Sequence, residues 1–154
     1  MKRRRWFLTF PFLGLGAFLA IRALPSKRPD TLGFSKQQFA PCPTSKKNCV
    51  CSTDQNPRFQ VAPLKCEADP RQTFARLKTA LQEWDGYKIV SATDTYLHAE
   101  HTSRWMGFTD DLECQLVSEQ GLIQVRSASR IGNSDLGVNR RRVEQIRKWL
   151  SSDN

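Results

Sequence analysis

RSASRIGNSDLGVNRRR, residues Arg126 to Arg142, sets five arginines (Arg126, Arg130, Arg140, Arg141, Arg142) among Ser127, Ser129, Asn133, Ser134, Asp135 and Asn139. On an extended strand Arg126, Ala128 and Arg130 share one face. Gly132 and Gly137 then supply the backbone freedom of a turn. From about Leu136 the spacing becomes helical, burying Val143, Ile146 and Leu150 with Trp149 at the edge. The run therefore joins a strand to a helix.

Four strand-like runs lead into it, 87–92, 95–102, 110–117 and 122–131, the last overlapping its start. The breaks at Thr93-Asp94 and at Glu119-Gln120-Gly121 are too short for parallel crossovers, so the strands pair as antiparallel hairpins. Asp69-Pro70 opens an earlier helix, Asp as the cap and Pro at its first position, and Phe74, Leu77, Leu81 and Trp84 recur at helical spacing until Gly86. Residues 59–64 add one short strand, and Pro41 to Pro57 reads as an irregular loop stapled by cysteines. The expected fold is α+β: an antiparallel sheet of four to five strands with two helices packed on one face, in helix-strands-helix order. Residues 41–152 form a single domain, preceded by a linker at 26–40 and a segment of another kind at 1–25.

That segment explains the charge. The 154 residues carry a net charge of +9, yet Lys2, Arg3, Arg4, Arg5 and Arg22 fall within residues 1–25, leaving 19 basic residues against 15 acidic ones. A pI raised by a targeting segment is no evidence for nucleic-acid binding, which is not expected. The basic cluster precedes an apolar run at 6–21, and Arg4-Arg5-Trp6-Phe7-Leu8-Thr9 resembles a twin-arginine export signal. The competing reading is an uncleaved transmembrane helix holding the chain to the membrane. Either way the expectation is export across a membrane into a periplasm or thylakoid lumen, with 6–21 as the anchor if it is retained.

Five cysteines fit that compartment. Cys114 alternates with Leu112 and Leu116 and reads as a small buried hydrophobe. Cys42, Cys49, Cys51 and Cys66 lack the paired C-x2-C knuckles of structural zinc, which favours disulfides. Of the three connectivities, Cys42 with Cys49 and Cys51 with Cys66 is preferred. No bond is expected between Cys49 and Cys51.

The arginine-rich run, together with CPTSKKNCVCS (42–52), YLHAE (96–100) and GFTDDLE (107–113) in that order, resembles the domain-of-unknown-function family 1499 over roughly residues 40–150. The resemblance implies no activity and no cofactor, since the family has no established one. Serine is usual in that family where Cys51 stands, so the resemblance implies no shared role for this thiol.

Three constellations carry candidate chemistry. Arg126, Arg130 and Arg140, with Ser129, Asp135 and Asn139 around the helix N-terminus, could converge on a phosphate, sulfate or carboxylate. The structural reading has Asp135 capping the helix, Asn139 and the serines satisfying turn amides, and the arginines pairing with Glu100, Asp111 and Glu113 in a charge lattice; it is favoured. Alternation allows one mixed face of His98, Glu100, Asp111 and Glu113, which Arg126 would neutralise, so no metal site is expected. Ser127 and Ser129 lack nucleophile-elbow glycines, no C-x-x-C occurs, and Walker, dinucleotide and zinc-protease motifs are absent. No catalytic residue is expected. Trp105, Met106, Gly107 and Phe108 form an apolar knot for which core packing is favoured over contact with a membrane or partner.

These readings point to a non-enzymatic binding or assembly factor acting on a protein partner, such as a membrane complex. The alternative is a binder of, or enzyme on, a small anionic ligand held by Arg126, Arg130 and Arg140.

Overall fold

The computed structural model describes residues 26–152. The export signal or anchor expected in residues 1–25 lies outside the described residues. Among those described, no helix is long and apolar enough to cross a membrane.

Asp69 starts the first helix as its position requires: its side chain accepts the amide of Gln72 at 2.7 Å, and Pro70 follows at the first helical position. Helix α1 spans Pro70–Glu83 and buries Phe74, Leu77 and Leu81. Gly86, at φ +81, turns the chain into β5 (Tyr87–Ala92). Hairpins then carry it through β6 (Tyr96–Thr102), β7 (Thr109–Val117), a 3-10 turn at Ser118–Gln120 and β8 (Leu122–Ser129). Helix α2 occupies Val138–Ser152 and buries Val143, Ile146 and Leu150. It begins two residues later than expected because Leu136 (φ 52) and Gly137 (φ 80) are left-handed.

The sheet has six strands rather than four to five. Before α1 come a small hairpin of β1 (Phe34–Ser35) and β2 (Gln38–Phe39), then β3 (Cys49–Cys51) and β4 (Leu64–Lys65). Both β3 and β4 lie antiparallel along the free edge of β8, β3 opposite Arg126 to Ala128 and β4 opposite Leu122 and Ile123. The order is therefore β3-β8-β7-β6-β5 with β4 sharing the β8 edge. Strands precede the first helix as well as follow it, which corrects the helix-strands-helix order. At three and two residues, β3 and β4 are too short to show an alternating pattern.

Both helices cover one face. Phe74, Leu77 and Leu81 from α1 and Val143, Ile146 and Leu150 from α2 join Leu97, Ala99, Leu112, Cys114, Ile123 and Val125 in one buried cluster. Cross-strand register keeps these on one side: Leu97 faces Cys114, which faces Val125.

The other face is covered too. The stretch 26–40, read as a linker, folds over it: Arg28 reaches Glu100, the Gly33 amide donates to Glu113 at 2.7 Å, and Phe34 and Phe39 pack edge to face at 4.9 Å. The contacts that hold it down include the backbone groups of Ser26, Gly33 and Ala40, which no residue type advertises.

Cys42 and Cys49 form a disulfide with Cα atoms 5.6 Å apart. Cys51 and Cys66 do not, contrary to the expected pairing. Cys51 sits opposite Arg126 and the Cys66 amide donates to Gly121, just before β8 and five positions away, which is roughly 16 Å at about 3.3 Å per residue. A disulfide needs Cα atoms within about 7 Å. Cys49 and Cys51, two apart on β3, share the outer face and join the second buried cluster with Phe39 and Phe59. Closing so short a loop contributes about 2 to 3 kcal/mol. Replacing Cys42 and Cys49 together with serine is expected to lower stability by about that amount, measured by urea unfolding of the two proteins side by side.

Candidate functional site

The outer face of the sheet carries the charge lattice. Glu113, fully buried, accepts from Arg126 Nη1 at 3.0 Å, from the Tyr96 hydroxyl at 2.9 Å and from the Gly33 amide. Arg126 Nε donates to the Ala40 carbonyl. Arg130 grips Asp111 with two bonds of 2.8 and 2.6 Å, reaches Glu100 at 2.6 Å and donates to the Ser26 carbonyl. His98 Nε2 closes on Asp111 at 2.8 Å. Burial alone would push the Asp111 carboxyl up; hydrogen bonds from Arg130 and His98 outweigh it and hold the group below its ordinary range. Glu100 is lowered in the same way by Arg130 and Arg28. Arg130 is raised, chiefly by its bonds to Asp111.

The helix side holds a second network. Asp135 Oδ2 accepts the Asn139 amide and so caps α2. Asn139, fully buried, donates to the Asn48 carbonyl, the Ser129 hydroxyl and Asp135, and accepts from Ser127 and Arg142. Arg142 also bonds Asp110 at 2.6 Å and approaches His101 Nδ1 at 3.2 Å. Burial, then the Arg142 charge, lowers the His101 value, and because a guanidinium can only donate, Nδ1 is the acceptor of this contact. Burial raises the Tyr87 phenol, whose ring meets that of His101 at 4.6 Å.

The expected anion cradle does not assemble. Arg126 and Arg130 lie on the outer face within ion pairs, whereas Ser129 and Asn139 belong to the helix-side network. Arg140 leaves both and donates to the carbonyls of Arg58 and Gln60. What the arrangement does is close backbone and sheet: every buried side-chain nitrogen and oxygen among the described residues has a partner. The mixed face of His98, Glu100, Asp111 and Glu113 assembles as spaced, with its oxygens turned to arginines.

Sequence reasoning missed Arg142 as the centre of the inner network. Its signal is strand alternation, which turns Asp110 and His101 away from Asp111 and Glu100, toward the helices. Beside them Trp84, Tyr87, His101, Arg141 and Arg142 line an open cleft of about 610 Å³. Trp105, expected in the core, is 82 % exposed, since the 103–108 loop projects beyond the last sheet pair, Thr102 with Thr109.

An antiparallel sheet, two helices on one face and, on the other, a strap of chain held by backbone hydrogen bonds and the Arg28–Glu100 salt bridge define a small α+β domain with a polar second layer. Residues 38–150 match the family described as protein of unknown function (DUF1499), and the chain belongs to that family. No curated protein and no solved structure matches it.

Proposed function

We propose that this chain is an exported or membrane-tethered, non-enzymatic binding or assembly domain, working in a periplasm or thylakoid lumen. The observation that carries the reading is the engagement of Arg126 and Arg130. Their guanidinium groups are spent on Glu113, Asp111, Glu100 and backbone carbonyls, so the most polar run of the chain acts as scaffold. The Cys42–Cys49 disulfide fits an oxidising compartment. The basic cluster and apolar run of residues 1–21 fit export or tethering.

The test is affinity capture of the tagged, natively expressed full chain in mild detergent, followed by mass spectrometry. A reproducible, stoichiometric partner from a membrane complex is the expected result. A small anion that co-purifies without any protein, and is lost in Arg130→Gln, would replace this reading with that of an anion binder.

A further inference from the structure

We infer that the end of the sheet bearing Trp105 and Leu136 docks on a lipid bilayer that contains anionic headgroups. The inference rests on the membrane-tethered reading above and names the surface that such a tether presents.

Antiparallel pairing gathers the turn 84–86 and the loops 103–108 and 130–137 at one end, because Tyr87 pairs with His101, Thr102 with Thr109 and Asp110 with Ser129. The large hydrophobic residues exposed among the described residues are Trp105 (82 %), Met106, Leu136 (85 %) and Val138, and all four lie at that end. Exposed apolar residues scattered singly would need no account; three on the loops that border adjacent strands β7 and β8, with Val138 at the start of α2, do. Leu136 adds strain to exposure. Its φ of 52 is a backbone region where glycine or asparagine costs less than leucine, and its carbonyl is held by Arg141 Nη1 at 2.8 Å. Arg104 and Arg141 are exposed beside these residues, and Lys47 is tied to the same loop through the Asn133 carbonyl. Glu83 and Asp85 border the cleft behind Val138, and Asp135 is occupied as the helix cap. A tryptophan tip flanked by cations suits the interface of an anionic membrane.

The course of the chain points to the bilayer rather than another surface. Arg130 holds the Ser26 carbonyl at 3.1 Å and Glu100 holds Arg28 near this end; the chain then crosses to Gly33 at Glu113, and Phe34 lies by Thr95 and Val117 at the opposite end. Residues 1–25 therefore join the domain on the Trp105 side. From Ile21, the end of the apolar run, to Ser26 the backbone spans no more than about 18 Å. A membrane-embedded run at 6–21 would hold these loops against the lipid surface at high effective concentration.

The full chain is reconstituted into vesicles of phosphatidylcholine and phosphatidylglycerol with brominated acyl chains, and tryptophan quenching is compared among wild type, Trp6→Phe and Trp105→Phe. Trp6 reports the tether, Trp105 the docking face, and the partly buried Trp84 and Trp149 the background. The expected result is a loss of quenched intensity in both variants. Quenching that falls in Trp105→Phe alone still supports docking, without the tether. Quenching that falls in Trp6→Phe alone overturns the docking face and leaves the tether standing; no quenching in the wild type overturns both. A Leu136→Asn variant that weakens Trp105 quenching while unfolding no earlier than wild type would add support, and one that leaves it unchanged counts against the face.

Discussion

Glu113→Gln is expected to destabilise the domain by about 3 to 5 kcal/mol, the cost of leaving one member of a buried ion pair without its partner. Glu113 is fully buried and Arg126 is 5 % exposed, so the guanidinium left behind cannot recover its hydration. The amide can still accept from the Gly33 nitrogen and the Tyr96 hydroxyl, which makes the change a test of charge rather than of shape. Arg28 with Glu100 provides the contrast, since Arg28 is half exposed. Arg28→Ala should cost less than about 1 kcal/mol, as exposed pairs do. Urea titrations would rank the two, and a Glu113→Gln, Arg126→Met double variant, which keeps the acceptor for Gly33 and Tyr96, should lose less than Glu113→Gln because no charge is then stranded. A Glu113→Gln loss no larger than that of Arg28→Ala would mean that water reaches the pair and that the strap does not seal this face. Domains have only about 5 to 15 kcal/mol in hand, so the full effect would leave a large unfolded fraction.

How much of this was legible depends on where the information sits. Asp69-Pro70, the hairpin breaks and the spacing of Val143, Ile146 and Leu150 are local signals, and the elements formed where they point. Strands β3 and β4 are different, because two or three residues become a strand only when β8 offers an unpaired edge. With Pro29 and several charges the strap of residues 26–40 reads as a linker, yet part of what binds it is main chain, and carbonyls and amides look alike in every sequence. The lattice was legible through parity: Glu113 opposite Arg126 and Glu100 opposite Asp111 follow from alternation once the hairpins are placed. The fate of Arg140 was not, since it depends on a loop at 58–60 that carries no periodic signal. The preferred Cys51–Cys66 bond failed for a similar reason: sequence distance says nothing about two strands sharing one edge five positions apart.

The domain should also lose stability from about pH 9 upward. Cys114 lies fully buried between Leu112 and Leu116 on β7, and burial, with the Glu113 charge adding to it, pushes its thiol from 9.0 up to about 12. Below pH 9 the thiol is protonated in both the folded and unfolded states and contributes nothing to the pH dependence. Between 9 and 12 the unfolded chain gives up the proton and the folded chain keeps it, so unfolding is favoured by about 1.4 kcal/mol per pH unit, about 4 kcal/mol in all. Burial raises Cys51, Tyr87 and Tyr96 in the same sense, the two phenols adding their losses only above about pH 10. Urea unfolding at intervals from pH 8 to 11 would follow the decline. Cys114→Ala removes the largest early contribution at the cost of a small cavity, so the variant should start less stable and fall less steeply above pH 9. Equal slopes for the two proteins would show that the folded state lets water reach this thiol, and the packing between β7 and the two helices would then be looser than the buried cluster requires.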